Sequence, residues 1–161
     1  MIGSKPVFLF SRYLNLQIVK AMVLVGLAYY FGALVAIHQT ITPEGIAILW
    51  PPNAILLAAF LIYPKHYLPF VAIAGIIAEL VASIPAFPVW AASCFAIINI
   101  ASVSLAAFFI RRKSGQNFNF KNLKNGACFL FFAPFLSASF AGLSGAIVYV
   151  LMGRTDTSYI N

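Results

Sequence analysis

Charge is what this chain has least of. Asp, Glu, Lys and Arg together make up 8% of its 161 residues, where soluble domains average about a quarter. With 63% hydrophobic residues and a mean hydropathy of +0.97, a water-soluble globule is excluded, because a core of this size could not hide so much apolar surface. Cysteine is almost missing too: Cys94 and Cys128 fall inside apolar runs, without the spacing of a metal site or a disulfide framework, and read as small packing residues. No glycine loop that could cradle phosphate, no nucleophile paired with a base and no cluster of metal ligands is present. No enzymatic activity, cofactor or metal is therefore expected of this chain. There is no repeat of fixed period and no soluble domain. Lys5 and Arg12 precede an apolar run of full spanning length with no small-residue cleavage pattern behind it, unlike a cleavable signal peptide.

What the chain does have is five apolar runs, at residues 18–37, 46–63, 67–82, 89–110 and 127–152, each near the roughly 20 residues that a helix needs to cross the hydrocarbon core. Pro43, Gly45, Pro64, Pro85, Pro88, Gly115, Gly126 and Gly153 punctuate the junctions, as chain breakers do. The expected fold is all-α: a polytopic transmembrane helix bundle of about five spans, with the lipid bilayer as its first partner.

The formal net charge of +7 does not point to nucleic acid, because the basic residues lie between apolar runs instead of along one surface. They read as topology signals. With the N-terminus in the cytoplasm, Lys5, Arg12, Lys20, Lys65, Arg111, Arg112, Lys113, Lys121 and Lys124 all fall inside and only Arg154 falls outside. The outer side then holds His38, Glu44, the turn at residues 83–88, and Arg154 with Asp156. Five spans place Asn161 outside as well. The final eight residues read like a loop cut short, and the chain is expected to be a single transmembrane domain that either ends after five spans or is the first part of a longer membrane domain. His38 and His66 lie at opposite boundaries and cannot share a metal.

The second run contains Trp50-Pro51-Pro52-Asn53, and a proline pair should break any helix that it sits inside. With Pro51 at the first helical position the break is harmless, but the helix from there to Tyr63 spans only about 20 Å. The second span is thus expected to be discontinuous. Irregular backbone at membrane depth requires cover by protein or a water-filled cavity, which predicts a covered niche in the outer half of the bundle. The break offers free amides, a partial positive charge, the Trp50 indole and the Asn53 amide. Transporters hold anionic groups on broken helices of this kind. The plainer alternative makes Trp50 an interfacial anchor, the prolines a helix start and Asn53 a cap.

Glu79 is the one acid within an apolar run. It shares a helical face with Ala72, Gly75 and Ala82, whose small size lets a neighbour approach, so it should point into the bundle. Asn99, on a face with Ala92, Ala96 and Ser102, is its candidate partner. A clamp that fixes helix register and a ligand site are equally open readings. In the fifth run Ser137, Ala141 and Gly145, flanked by Ala138, Gly142 and Ala146, read as a packing seam.

Taken in order, Trp50-Pro51-Pro52, the apolar segment 54–62, the basic turn at 64–69, Glu79, Asn99, Arg111-Arg112 and the segment Ala133-Pro134-Phe135-Leu136-Ser137 resemble the membrane-associated sensor domain of the first type, in the MASE family. The resemblance runs from about residue 41 to 150. It implies a bacterial inner-membrane input module of about eight spans, joined to histidine kinase, diguanylate cyclase or phosphodiesterase output domains and dimerising through them. Asn53-Ala54 departs from the small residue and glycine that the family often has there, and the chain ends about three spans short. The leading expectation is a sensor that passes on a small-molecule ligand or membrane state by helix repacking, with Trp50, Pro51, Pro52, Asn53, Glu79 and Asn99 as candidate ligand residues. A small solute-binding or transport subunit that uses the broken second span is the alternative.

Overall fold

The structure is a computed structural model that describes residues 5–39, 49–114 and 122–153, with side chains from Asn15 onward. Helix α1 runs Lys5–Gln39, α2 Pro51–Ile62, α3 Leu68–Ser83 and α4 Val89–Ser114. A 3₁₀ turn, Lys65–Tyr67, joins α2 to α3. The last span is built from α5, Leu123–Leu130, a π-helical turn, Phe131–Ser137, and α6, Ala138–Leu151. Among the described residues there is no strand. The stretches Asn15–Gln39, Lys65–Ser83, Val89–Ser114 and Leu123–Leu151 are long and apolar enough to cross a membrane, and Pro51–Ile62 is a shorter apolar helix. The protein is an all-helical, multi-span membrane bundle.

Each packed helix shows why it sits where it does. On α3, Val71, Ala74, Gly75, Ala78, Glu79 and Ala82 are buried, while Phe70, Ile73, Ile77 and Val81 are exposed. Small residues thus face the neighbours and bulky ones face outward, the pattern expected where close backbone approach stabilises and lipid solvates the rest. On α1 the buried stripe is Ala21, Val25, Tyr29, Ala33 and Ala36, at the spacing of one helical face. Closest approach occurs at Gly32, where a Cβ would lie 3.1 Å from Ile55 Cδ1 and 3.6 Å from the Pro52 ring.

These contacts fix the direction of the helices. Gly26 lies against Ala74 and Tyr29 against Glu79, so α1 and α3 run parallel. Asn53 meets Asn99, and Phe60 meets Arg111, so α2 and α4 also run parallel. Gly32 beside Pro52 makes the two pairs antiparallel. The α2–α3 hairpin packs between α1 and α4, and the last span packs on α4 alone among the substantial contacts. Lys65, Arg111, Arg112 and Lys113 gather at one end. Trp50 and the turn between α3 and α4 lie at the other.

The boundaries of α3 and α4 follow their prolines, Pro64, Pro85 and Pro88. Three departures from the sequence expectation have physical causes. Helix α1 begins at Lys5, not near residue 18, because Pro6 in the first turn is tolerated there and nothing after it breaks the helix. Helix α5 begins at Leu123, ahead of Gly126, since Asn122 caps it by accepting the Lys124 amide at 2.9 Å. The fifth span is not one regular helix: Pro134 cannot donate to the preceding turn, and the backbone widens into a π-helical turn around it. Gly153, at φ 66°, ends α6 in the left-handed conformation of a helix C-cap.

Residues 46–48, expected to enter the membrane ahead of the double proline, lie outside the described residues. So do Glu44, most of the basic linker at 115–121, and the stretch from Arg154 onward.

Candidate functional site

Helix α2 starts at Pro51, with Trp50 in a non-helical conformation (φ −123°, ψ 76°) before it. Its 12 residues reach about 18 Å at the standard rise, well short of a crossing. Among the described residues the second apolar run is thus helical only from Pro51, too short a helix to cross by itself. No side chain caps the helix, and its first backbone contact, Asn53 N–H to Trp50 O, is long at 3.4 Å.

That open end faces a cavity of about 830 Å³ between α2, α3, α4 and the last span. Trp50, Asn53, Glu79 and Asn99 all line it. The Pro51 and Pro52 side chains do not: Pro52 is buried against α1 beside Gly32, so the proline pair shapes the helix start without touching the space in front of it. Leu57, Leu61 and Phe95 make much of the wall apolar, and Ser137, Ala138, Ala141 and Gly142 of the last span form the far side. No lysine, arginine or histidine among the described residues lines the cavity.

The polar groups form two neighbouring hydrogen-bonded sets. Tyr29 Oη donates to Glu79 Oε2 at 2.9 Å and Ser83 Oγ donates to Glu79 Oε1 at 2.9 Å, so both carboxyl oxygens have a partner although Glu79 is 1% exposed. Asn53 Nδ2 donates to Asn99 Oδ1 at 3.2 Å, which ties α2 to α4, and Ser102 Oγ donates to the Asn99 carbonyl at 2.9 Å. Asn99 lies near Glu79 and Tyr29, so a hydrogen-bonded set from α1 and α3 sits beside one from α2 and α4. Two buried atoms make no well-formed hydrogen bond: Trp50 Nε1, a donor that lies near the Tyr29 hydroxyl, and Asn53 Oδ1, an acceptor. A buried unpaired polar atom costs about 1–3 kcal/mol, so the site carries an unfilled bonding capacity.

The MASE1 family model matches residues 21–161. The chain belongs to the MASE1 family. MASE1 domains are membrane sensory domains of signalling proteins, and in this one Trp50, Asn53, Glu79 and Asn99 gather around the N-terminal end of α2. No curated protein and no solved structure matches the chain.

Two partners of Glu79 were not foreseen from sequence. Ser83 was legible, since it stands one turn beyond Glu79 on the same face. Tyr29 was not, because it lies 50 positions away on α1 and its hydroxyl is hidden in an otherwise apolar run. The small-residue stripe of the last span is only partly a packing seam: nothing lies within 4 Å of a Cβ placed at Gly142, which borders the cavity, or at Gly145.

Proposed function

We propose that this MASE1 domain detects a small, largely apolar molecule that enters the cavity before α2, with a polar head that accepts from Trp50 Nε1 and donates to Asn53 Oδ1. The observation that carries this reading is an apolar cavity of small-ligand volume whose polar lining, Trp50, Asn53, Glu79 and Asn99, gathers at the start of α2. Glu79 and Asn99 set the register of the polar wall, and Trp50 and Asn53 make the recognition contacts.

The signal travels by repacking of the last span. A ligand that fills the cavity touches α2 on one side and Ala133, Pro134 and Ser137 of the π-helical turn on the other. That span is the least buried: 6% of its most apolar stretch is covered, against 22–39% for the other three. A weakly held helix bearing a π-helical turn is the element whose position a ligand can bias, provided that it binds one packing better than the other. The output is a histidine kinase or a cyclic-di-GMP enzyme in a bacterial inner membrane, as the family resemblance implies.

In the full signalling protein, Asn53→Ala and Glu79→Gln should change kinase or cyclase output without any solute flux. Loss of uptake of a solute in the same variants would instead favour transport. Orientation follows from the basic end facing the cytoplasm. With Cys94 and Cys128 replaced by serine, a cysteine substituted for Gly153 should be labelled from outside, and one substituted for Ser114 only after permeabilisation. The reverse pattern would invert the domain in the membrane.

A further inference from the structure

A second cavity, of about 630 Å³, opens at the opposite end of the bundle, where α2 ends, α3 begins and α4 ends. Lys65, Arg111 and Arg112 line its rim. Below them Phe60 and Ala107 form a buried floor, and Leu68, Ala72 and Phe108 form apolar walls. Ser104, Ala107, Phe108 and Arg111 share one face of α4, so an apolar track of about 10 Å leads away from the cations along the helix. Phe108 is 56% exposed beside it.

The charged side chains that line this cavity, Lys65, Arg111 and Arg112, all attract an anion. Leu68 and Pro69 bring the N-terminus of α3 to the rim, and its first turn holds no acidic residue to offset the positive end of the helix dipole. Glu79, the only acid among the described residues, is buried in the other cavity. Arg111 is anchored by the carbonyls of Phe60 and Tyr63, which holds one cation in place, while Lys65 and Arg112 are exposed. Three cations above an apolar groove match the outline of an anionic phospholipid: phosphate at the rim, acyl chain on Leu68, Ala72 and Phe108.

We infer that this cavity binds an anionic phospholipid through its phosphate, with Lys65, Arg111 and Arg112 as the headgroup site and the α3–α4 groove as the acyl site. The inference is independent of the ligand proposed for the other end. A basic pocket between membrane helices is suited to such headgroups, and the groove distinguishes a lipid from a free anion.

The test uses the purified chain in neutral detergent, titrated with dioleoyl phosphatidylglycerol or dioleoyl phosphatidylcholine, with bound lipid counted by native mass spectrometry. One phosphatidylglycerol should be retained at concentrations where phosphatidylcholine is lost. The double variant Lys65→Gln/Arg112→Gln should weaken phosphatidylglycerol roughly 25-fold, about fivefold for each charge removed. The charge-matched control Lys20→Gln/Lys124→Gln, whose lysines lie off the cavity, should weaken it less than about twofold. Equal retention of the two lipids, or equal weakening by the two double variants, would overturn the site. Ala72→Phe, which fills the groove, should also weaken the lipid, and equimolar inorganic phosphate should not displace it. Displacement by phosphate, or indifference to Ala72→Phe, would show a free-anion site and overturn the lipid assignment.

Discussion

The two ends of α2 face the same difficulty and meet it in opposite ways. Each end leaves backbone groups without intrahelical partners. At the C-terminal end Arg111 reaches across from α4 and donates through Nη2 to Phe60 O at 2.5 Å and Tyr63 O at 2.7 Å, closing the helix with a charge-assisted cap. At the N-terminal end no side chain caps the helix, the prolines remove donors outright, and the space in front stays open, with Trp50 Nε1 and Asn53 Oδ1 making no well-formed hydrogen bond. A helix that is locked at one end and open at the other has its capping contacts and, on the function proposed above, its recognition chemistry in different places.

If that division holds, the largest effect on stability should come from the closed end. Arg111→Ala would free two carbonyls at once and is expected to cost about 3 kcal/mol, since hydrogen bonds to charged groups are each worth about 1.5–3 kcal/mol and the freed acceptors stay poorly solvated. Thermal unfolding in detergent measures it. Arg111→Lys should recover part of the loss, because one ammonium can reach one carbonyl but lacks the planar fork. A loss below that of substitutions at the open end would remove the contrast between the two ends.

A smaller effect is expected at the buried carboxyl, which supports the open end from behind. Tyr29→Phe deletes the donor to Glu79 Oε2 and leaves Ser83 on the other oxygen; the expected cost is about 1–2 kcal/mol. Because Tyr29 lines neither cavity, the same variant should leave binding at the α2 N-terminus measurable. Loss of signalling together with unchanged stability would move Tyr29 from support to recognition and blur the comparison.

The sequence made some of this contrast readable and hid the rest. Pro64, Pro85 and Pro88 located the ends of α2, α3 and α4 because proline acts locally and the same way everywhere. Trp50-Pro51-Pro52 foretold a helix that starts too late to cross, and the small residues flanking Glu79 foretold its inward direction. The cap at the other end could not be read: Arg111 looked like a topology signal, and only the packing of α4 against α2 brings it to carbonyls about 50 positions away. Pro134 announced a disturbance in the last span but not its form, since a kink, a break and a π-helical turn all accommodate a missing donor. The direction in which Gly142 and Gly145 face depends on where α4 holds the last span, which no local spacing encodes.

The smallest effects sharpen the comparison at two glycines. Gly32 sits where α1 meets the α2 N-terminus, and a Cβ there would press to 3.1 Å on Ile55 Cδ1, the movable tip of a flexible side chain. Alanine should gain helix propensity of up to about 1 kcal/mol relative to glycine and lose a similar amount as Ile55 shifts, for a net change near zero. Gly142 borders the open cavity with nothing within 4 Å of a new Cβ, so Gly142→Ala should keep the gain and raise the unfolding temperature slightly. Gly142→Leu would then extend an apolar side chain into the space before Trp50 and Asn53. Its stability should stay within about 1 kcal/mol of the parent, as is usual for substitutions that meet no packed neighbour, while response to ligand in the full signalling protein is lost. A leucine that costs several kcal/mol would mean that the last span closes on α2 and that the cavity is packed shut, whereas a stable but unresponsive variant keeps recognition at the open end of α2 and stability at the closed one.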